Sequence, residues 1–280
     1  MADWEVGVFT SIDAGLGVQL QVAQDLEIKT IQLHAPKRTS RTPDNADRFL
    51  GQLKDLGIEL TCVFGGFDGE SYADIPTVTD TVGLVPSKTR AERLREMREI
   101  ADFARLLECD VVALHLGFVP HDRTESLYQE VVDVTRQLCG HAEQNDQAVH
   151  LETGQETADG LLQFIDDTGC ENLFINFDPA NMILYGTGQP IEALTKLGPK
   201  VRSVHCKDAT WSDKPGETWG SEVPLGEGQV DIEAYLRTLK EIGYLGPLTI
   251  EREIPQEPER QKAEIAHAST LLRRLASEIL

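Results

Sequence analysis

The sequence predicts an α/β protein, a (β/α)8 TIM barrel, with residues 1–280 forming a single domain. Three observations lead there. Eight short apolar runs recur along the chain. The segments between them carry helical periodicity, and strands that alternate with helices form parallel sheets. The length also suits eight βα units, which typically need about 250 residues. The competing architecture, a doubly wound open sheet, usually has a Gly-rich phosphate turn after its first strand. Here that turn reads FTSIDAGLG, which lacks the GxGxxG spacing.

The expected strands, in order, are WEVGVF (4–9), KTIQLH (29–34), IELTCVF (58–64), DVVALHLG (110–117), AVHLE (148–152), LFINFD (173–178), RSVHC (202–206) and PLTIE (247–251). The clearest helix spans 87–107. It opens at Ser87 and sets Ala91, Leu94, Met97, Ala101, Ala104 and Leu107 on one side. Another opens at Asp231, an N-cap residue, and ends before Gly243, where a C-cap glycine belongs. Two connections are long, 65–86 and 207–230. Both follow strands, which places them on the face where barrel active sites are built.

Composition excludes several classes. The chain has 47 acidic and 26 basic residues, a net charge of −21. Nucleic acid binding depends on Lys and Arg neutralising phosphates, and the densest basic segment, KRTSR at 37–41, is short. No nucleic acid partner is expected. No apolar run approaches the ~18 residues of a membrane span, so no membrane partner is expected either. The five cysteines (62, 109, 139, 170, 206) form no CxxC pair and are odd in number, a pattern of free thiols in a reducing compartment. The N-terminus lacks the pattern of a signal peptide. The expected location is cytoplasmic.

The chemistry concentrates at the ends of the last four strands: Glu152, Asp178, His205 and Glu251. Any one acid at a strand end is more often a helix cap or a salt-bridge partner. Four successive strands ending in ligand types are less easily accidental, and neighbouring strands of a closed barrel bring their ends together. Three carboxylates and one imidazole suit one divalent cation, Mn²⁺ or Mg²⁺ first, with Zn²⁺ as an alternative. Two residues before each ligand, on the same strand face, stand His150, Asn176, Ser203 and Thr249. All are polar, which fits groups that orient metal ligands or a buried hydrogen-bond network with water.

The motifs HLETGQET (150–157), NFDPANMILYG (176–186), VHCKDA (204–209), VPLGEGQVD (223–231) and GPLTIERE (246–253) resemble the xylose isomerase-like TIM barrel superfamily, in particular its sugar phosphate isomerase/epimerase group. The resemblance implies a divalent-metal-dependent isomerase or epimerase acting on a small carbohydrate. Glu152, Asp178, His205 and Glu251 would hold the metal, and Glu152 and Glu251 would exchange a proton through an enediolate. Two alternatives share the motifs: a keto-polyol dehydratase of the inosose dehydratase type, and a barrel that binds sugar or metal without turnover. The resemblance is also compatible with a homo-oligomer, although no segment marks an interface.

Five further positions are assigned to substrate: His115, Gln155, Asn181, Lys207 and Trp211. Three of them have a plainer reading. His115 can be a core histidine, Lys207 can pair with Asp208, and Trp211, like Trp219, can pin its loop. The glycines of PLGEG can simply shape a turn, or expose N–H groups to an anion. The related apurinic-site endonucleases bind three metals and need histidine or aspartate ligands where this chain has Asn181, Gly220 and Glu222. Nuclease chemistry is therefore not expected. Asn181 also replaces a histidine expected in epimerases of free ketoses, so the sugar itself stays open.

Overall fold

The computed structural model describes residues 4–13, 17–255 and 257–280. Its strands are β1 (Val6–Ser11), β2 (Thr30–His34), β3 (Glu59–Gly65), β4 (Val111–Leu114), β5 (Ala148–Glu152), β6 (Leu173–Phe177), β7 (Val201–Cys206), β8 (Asp208–Thr210), β9 (Ser221–Val223) and β10 (Leu248–Ile250). Eight of them close a parallel barrel in the order β1-β10-β7-β6-β5-β4-β3-β2. The short strands β8 and β9 pair antiparallel outside it. They occupy the long connection 207–230, which the sequence leaves without structure.

The helices are α1 (Leu20–Asp25), α2 (Pro43–Leu56), α3 (Ile75–Thr81), α4 (Arg90–Leu106), α5 (Ser126–Gln144), α6 (Ala158–Thr168), α7 (Pro179–Tyr185), α8 (Pro190–Leu197), α9 (Ile232–Glu241) and α10 (Pro258–Ile279). Their apolar faces bury the outside of the barrel in one continuous core of Val, Ile, Leu and Phe. A small separate cluster, Phe9, Cys62, Phe64 and Ala113, fills the barrel interior. Among the described residues no helix is long and apolar enough to cross a membrane.

Most strand ends shift by one or two residues from the sequence expectation, and two larger differences have physical reasons. Helix α4 begins at Arg90 rather than Ser87, because the carbonyl of Pro86 takes the N–H groups of Thr89 and Arg90 and makes a turn of the preceding residues. Ala91, expected on the buried face, is exposed, whereas Leu94, Met97, Ala101, Ala104 and Leu107 are buried. Strand β4 stops at Leu114, three residues early. The Leu116 carbonyl leaves the ladder and accepts from Leu84 and Val85 N–H, binding the strand's exit to the loop before α4. That exit carries His115 to the C-terminal mouth.

Helix α9 follows the sequence closely. Asp231 caps it by accepting from Ala234 N–H at 3.1 Å, and Gly243 takes the left-handed conformation after its end. The register between β6 and β7 slips between Ile175 and Asn176, giving β7 one extra residue there. Such irregularities re-aim side chains at barrel rims. This one sets Ser203 opposite Asn176, with His205 one inward-facing step above.

Candidate active site

Four consecutive strand ends converge. Glu152 is the last residue of β5, Asp178 follows β6, His205 is the penultimate residue of β7, and Glu251 follows β10. One ligand atom from each lies within 4.8 Å of all the others, and all four residues are buried. Nδ1 of His205 stands 3.0 Å from Glu152 Oε1, 3.1 Å from Glu251 Oε2 and 3.7 Å from Asp178 Oδ2.

Asp178 fills one of the roles open to it from sequence, the helix cap, and keeps its second oxygen free for the other. Its Oδ1 accepts from Ala180 and Asn181 N–H, at 2.8 and 3.0 Å, and so caps α7. Its Oδ2 is fully buried and has no hydrogen-bond partner. A carboxylate oxygen left bare at zero exposure is costly. It points at the one place where three other ligand atoms also meet. Thr153 clamps the residue from below, donating to the Asp178 carbonyl and accepting its N–H.

A hydrogen-bonded arc orients the ligands. His205 Nε2 meets Gln32 Oε1 at 2.9 Å, Gln32 Nε2 donates to Asn176 Oδ1 at 3.3 Å, and Asn176 Nδ2 donates to Glu152 Oε2. Because the Gln32 amide nitrogen is committed to Asn176, its oxygen faces the imidazole, so Nε2 carries the proton. Nδ1 faces the carboxylates, donating to Glu152 while the ring is charged and presenting its lone pair once that proton is lost. This is the tautomer a metal ligand requires, held by a partner on the far ring nitrogen. Asn181 Nδ2 adds a bond to Glu152 Oε1 at 3.2 Å.

The donor set fits a divalent ion. The largest separation, 4.8 Å, is about twice a metal–oxygen distance of ~2.0–2.4 Å. Without an ion the charges strain against one another. Burial pushes the Glu152 carboxyl up to about 7 against the pull of His205. Burial opposes a charge on His205, yet Glu152 and Glu251 outweigh it and drive that imidazole well upward. Glu251 is held well below the usual carboxylate range, because Lys207 and His205 outweigh its burial.

Lys207 does not pair with Asp208. Its ammonium lies 3.2 Å from Glu251 Oε2, 3.0 Å from Glu253 Oε1 and 3.8 Å from Glu222 Oε2. Asp208 turns the other way and accepts from the N–H groups of Gly226, Gly228 and Val230 at 3.0–3.1 Å. The anion gathered by the PLGEG turn is thus the chain's own carboxylate.

A cavity of about 660 Å³ opens over the barrel mouth on the β1–β4 side, with Glu251 and Glu253 on its wall. Phe9 and Phe64 also line it and stack edge-on or tilted beside His205. His115 lines it too, its ring near Phe64 and Tyr72 and its Nδ1 3.3 Å from Gln155 Nε2. Burial lowers its pKa to about 4. Gln155 also donates to Tyr185 at 3.0 Å. Of the five positions assigned to substrate, His115 is on the cavity wall and Gln155 braces it. Asn181 and Lys207 contact two carboxylates of the cluster, Glu152 and Glu251 respectively. Trp211 packs partly against the outer core, with its backbone N–H on Gln229, and does not line the cavity. Trp219 packs edge-on against Tyr185.

Sequence reasoning missed Gln32, Glu253 and the two phenylalanines. Gln32 carried a usable signal, a polar residue between Ile31 and Leu33 in a strand with both faces covered. Glu253 lies past its strand, and nothing in its spacing marks it.

Residues 20–275 match the family described as xylose isomerase-like TIM barrel. The chain belongs to that family. A crystal structure of a xylose isomerase domain protein from Planctomyces limnophilus is 58% identical, with a TM-score of 0.97 over 99% of this chain and 98% of that one. A xylose isomerase-like barrel from Mycobacterium smegmatis, solved in complex with magnesium, shares the fold at 17% identity and a TM-score of 0.71, covering 99% of this chain and 98% of that chain. Curated relatives match in part. An uncharacterized Methanocaldococcus jannaschii protein is 27% identical over 57% of this chain and 58% of its own length. An inosose dehydratase of Clostridium botulinum is 28% identical over 39% of each chain. An L-ribulose-5-phosphate 3-epimerase of Salmonella paratyphi C is 37% identical over 32% of this chain and 29% of its own. The chain therefore aligns with less than two thirds of each of these relatives.

Proposed function

We propose that this protein is a divalent-metal-dependent isomerase or epimerase of a small keto-sugar or sugar phosphate. The observation that carries the reading is the convergence of Glu152, Asp178, His205 and Glu251 within 4.8 Å, with an unpartnered Asp178 oxygen among them and Glu251 on the wall of a sugar-sized cavity. An ion held by these four residues supplies Lewis-acid polarisation of a substrate carbonyl, which acidifies the neighbouring C–H. Mn²⁺ or Mg²⁺ suits the oxygen-rich set, and Zn²⁺ remains compatible with it.

The protein's own groups do the rest. Glu251, at the cavity wall with Lys207 beside it, removes the proton as a carboxylate. Glu152, on the other side of His205, returns one. Asn176 and Asn181 fix the Glu152 oxygens, and Phe9 and Phe64 keep the site apolar, which strengthens every charge interaction within it. His115 contacts a substrate hydroxyl from the opposite wall, with Gln155 setting its ring. Five free thiols, four of them buried, suit a reducing, cytoplasmic setting.

The partial likeness to inosose dehydratases favours one second reading, in which the same proton abstraction is followed by loss of a β-hydroxyl. Solvent exchange decides between them. The Mn²⁺-loaded protein is incubated in D₂O with ketoses, ketose phosphates and inososes, and products are read by mass spectrometry. A gain of one mass unit that chelator abolishes and Glu251→Gln suppresses at least a hundredfold is the expected result. Loss of 18 mass units (water) assigns the dehydratase reading. Full exchange by Glu251→Gln removes that residue from proton transfer.

A further inference from the structure

We propose that the substrate of this site carries a terminal oxyanion, a phosphate ester or a carboxylate, bound by Arg41 and Lys37 in the cavity that Glu251 also lines. The inference rests on the proposed function for the reacting end only. The basic segment KRTSR is unusual in a chain of net charge −21. It follows β2, and Lys37, Arg38 and Arg41 all line the same cavity as Glu251.

Arg41 is the pivotal residue. Its side chain is only 6% exposed. Nε donates to the Pro36 carbonyl at 2.7 Å, and Nη2 pairs with Glu96 at 2.9 Å. These bonds fix the guanidinium plane, but Nη1 is buried with no hydrogen-bond partner. A buried donor without an acceptor is rare in native proteins and points to a missing group. A planar guanidinium with a free N–H is suited to phosphate or carboxylate. The Lys37 ammonium adds a second charge with no acceptor among the described residues; the residue's backbone is bonded, its N–H to Asp13 and its carbonyl to Ser40 N–H.

The other charges on this wall are already accounted for. Arg38 pairs with Glu99. Arg93 donates to the Gly83 carbonyl and lies over Phe67. Glu70 is held by the N–H groups of Phe67 and Gly83. Asp68 and Glu92 are exposed and solvated. Lys37 and Arg41, which both line this cavity, are left with donors that have no acceptor among the described residues. Its volume, about 660 Å³, leaves room for a sugar and a terminal anion together.

The test is calorimetric titration of the Mn²⁺-loaded protein with three probes: D-fructose, D-fructose 6-phosphate and 5-keto-D-gluconate. At least one anionic probe is expected to bind tenfold or more tightly than fructose, and the preferred one names the oxyanion. Arg41→Met and Lys37→Met should each weaken that probe about tenfold to a hundredfold, with fructose unchanged and Arg41→Lys retaining part of the preference. Lys37 is exposed, so its variant keeps the test valid if Arg41→Met fails to fold. Equal binding of all three probes overturns the proposal. So does a preference that survives in both Met variants, or one that vanishes when a chelator strips the metal. Glu251→Gln separates the two readings. If it retains the anion preference while wild type shows no deuterium exchange, the oxyanion site stands and the isomerase does not. Exchange without the preference means the isomerase stands and the oxyanion site does not.

Discussion

Three residues of the cluster are each held by a neighbour outside it. Asp178 is fixed by the α7 N–H groups, Glu152 by Asn176 and Asn181, and His205 by Gln32. The His205–Gln32 bond matters most, because it decides which ring nitrogen has a lone pair to offer. Replacing Gln32 by Leu removes that decision while keeping the volume close. Metal affinity should fall about ten- to a hundredfold, measured by titration against a chromophoric chelator, with the far-UV circular dichroism unchanged. Unaltered affinity would mean that the carboxylates alone orient the imidazole. His150 and Ser203, two residues below their ligands, bond to each other at 2.7 Å and contact no ligand directly. Of the four polar residues noted in the sequence, Asn176 is the one that reaches a ligand side chain.

The loops that frame the site are pinned by close approaches. A Cβ on Gly228 would overlap Asp208 Oδ1, the carboxylate on which the turn is built. Gly228→Ala should therefore destabilise the protein by about 2 kcal/mol or more, read as a lower melting temperature. Loss of order in this turn should leave the metal ligands bound, since none of them lies in it. At Gly154 a Cβ would meet Asn181 Cβ at 2.8 Å and the Tyr185 ring at 2.9 Å, so glycine lets the loop after β5 close onto α7. The same loop is tied to the exit of β4 by Glu156, which accepts from Val119 N–H at 2.7 Å. Burial lifts the Glu156 carboxyl to about 7. A carboxyl raised in the folded state stabilises below its unfolded value near 4.5 and loses that contribution as pH rises through 7. Wild type should lose stability relative to Glu156→Gln across that interval, by an amount on the order of 3 kcal/mol. Parallel melting curves of the two proteins between about pH 4.5 and 8 would refute this.

At the scale of the molecule, barrel closure concentrates three carboxylates and an imidazole in one buried volume. That arrangement is costly until a cation enters. Metal should therefore stabilise the whole fold. At a hundredfold excess over its dissociation constant it contributes about 2.7 kcal/mol, which moves the melting temperature of a chain this size by roughly 4–5 °C. Scanning calorimetry with Mn²⁺, and again with chelator, measures the shift; Asp178→Ala should lose it.

How far the sequence reaches differs with the range of the interaction. The barrel, its single domain and the four residues that meet at its mouth follow from local pattern. A strand buried on both faces needs an apolar run, a parallel neighbour needs a helix to return the chain, and a ligand must sit where the strand ends. Pattern of that kind is written within a few residues. The tertiary structure alone decided the partners: Gln32 on His205 across 173 positions, Lys207 on Glu251 and Glu253 rather than on adjacent Asp208, and Arg41 on the wall that Glu251 completes. Those contacts depend on strand register and on the angle at which each loop leaves the barrel. Both are fixed by packing between segments far apart in the chain, where no short stretch of sequence carries the information.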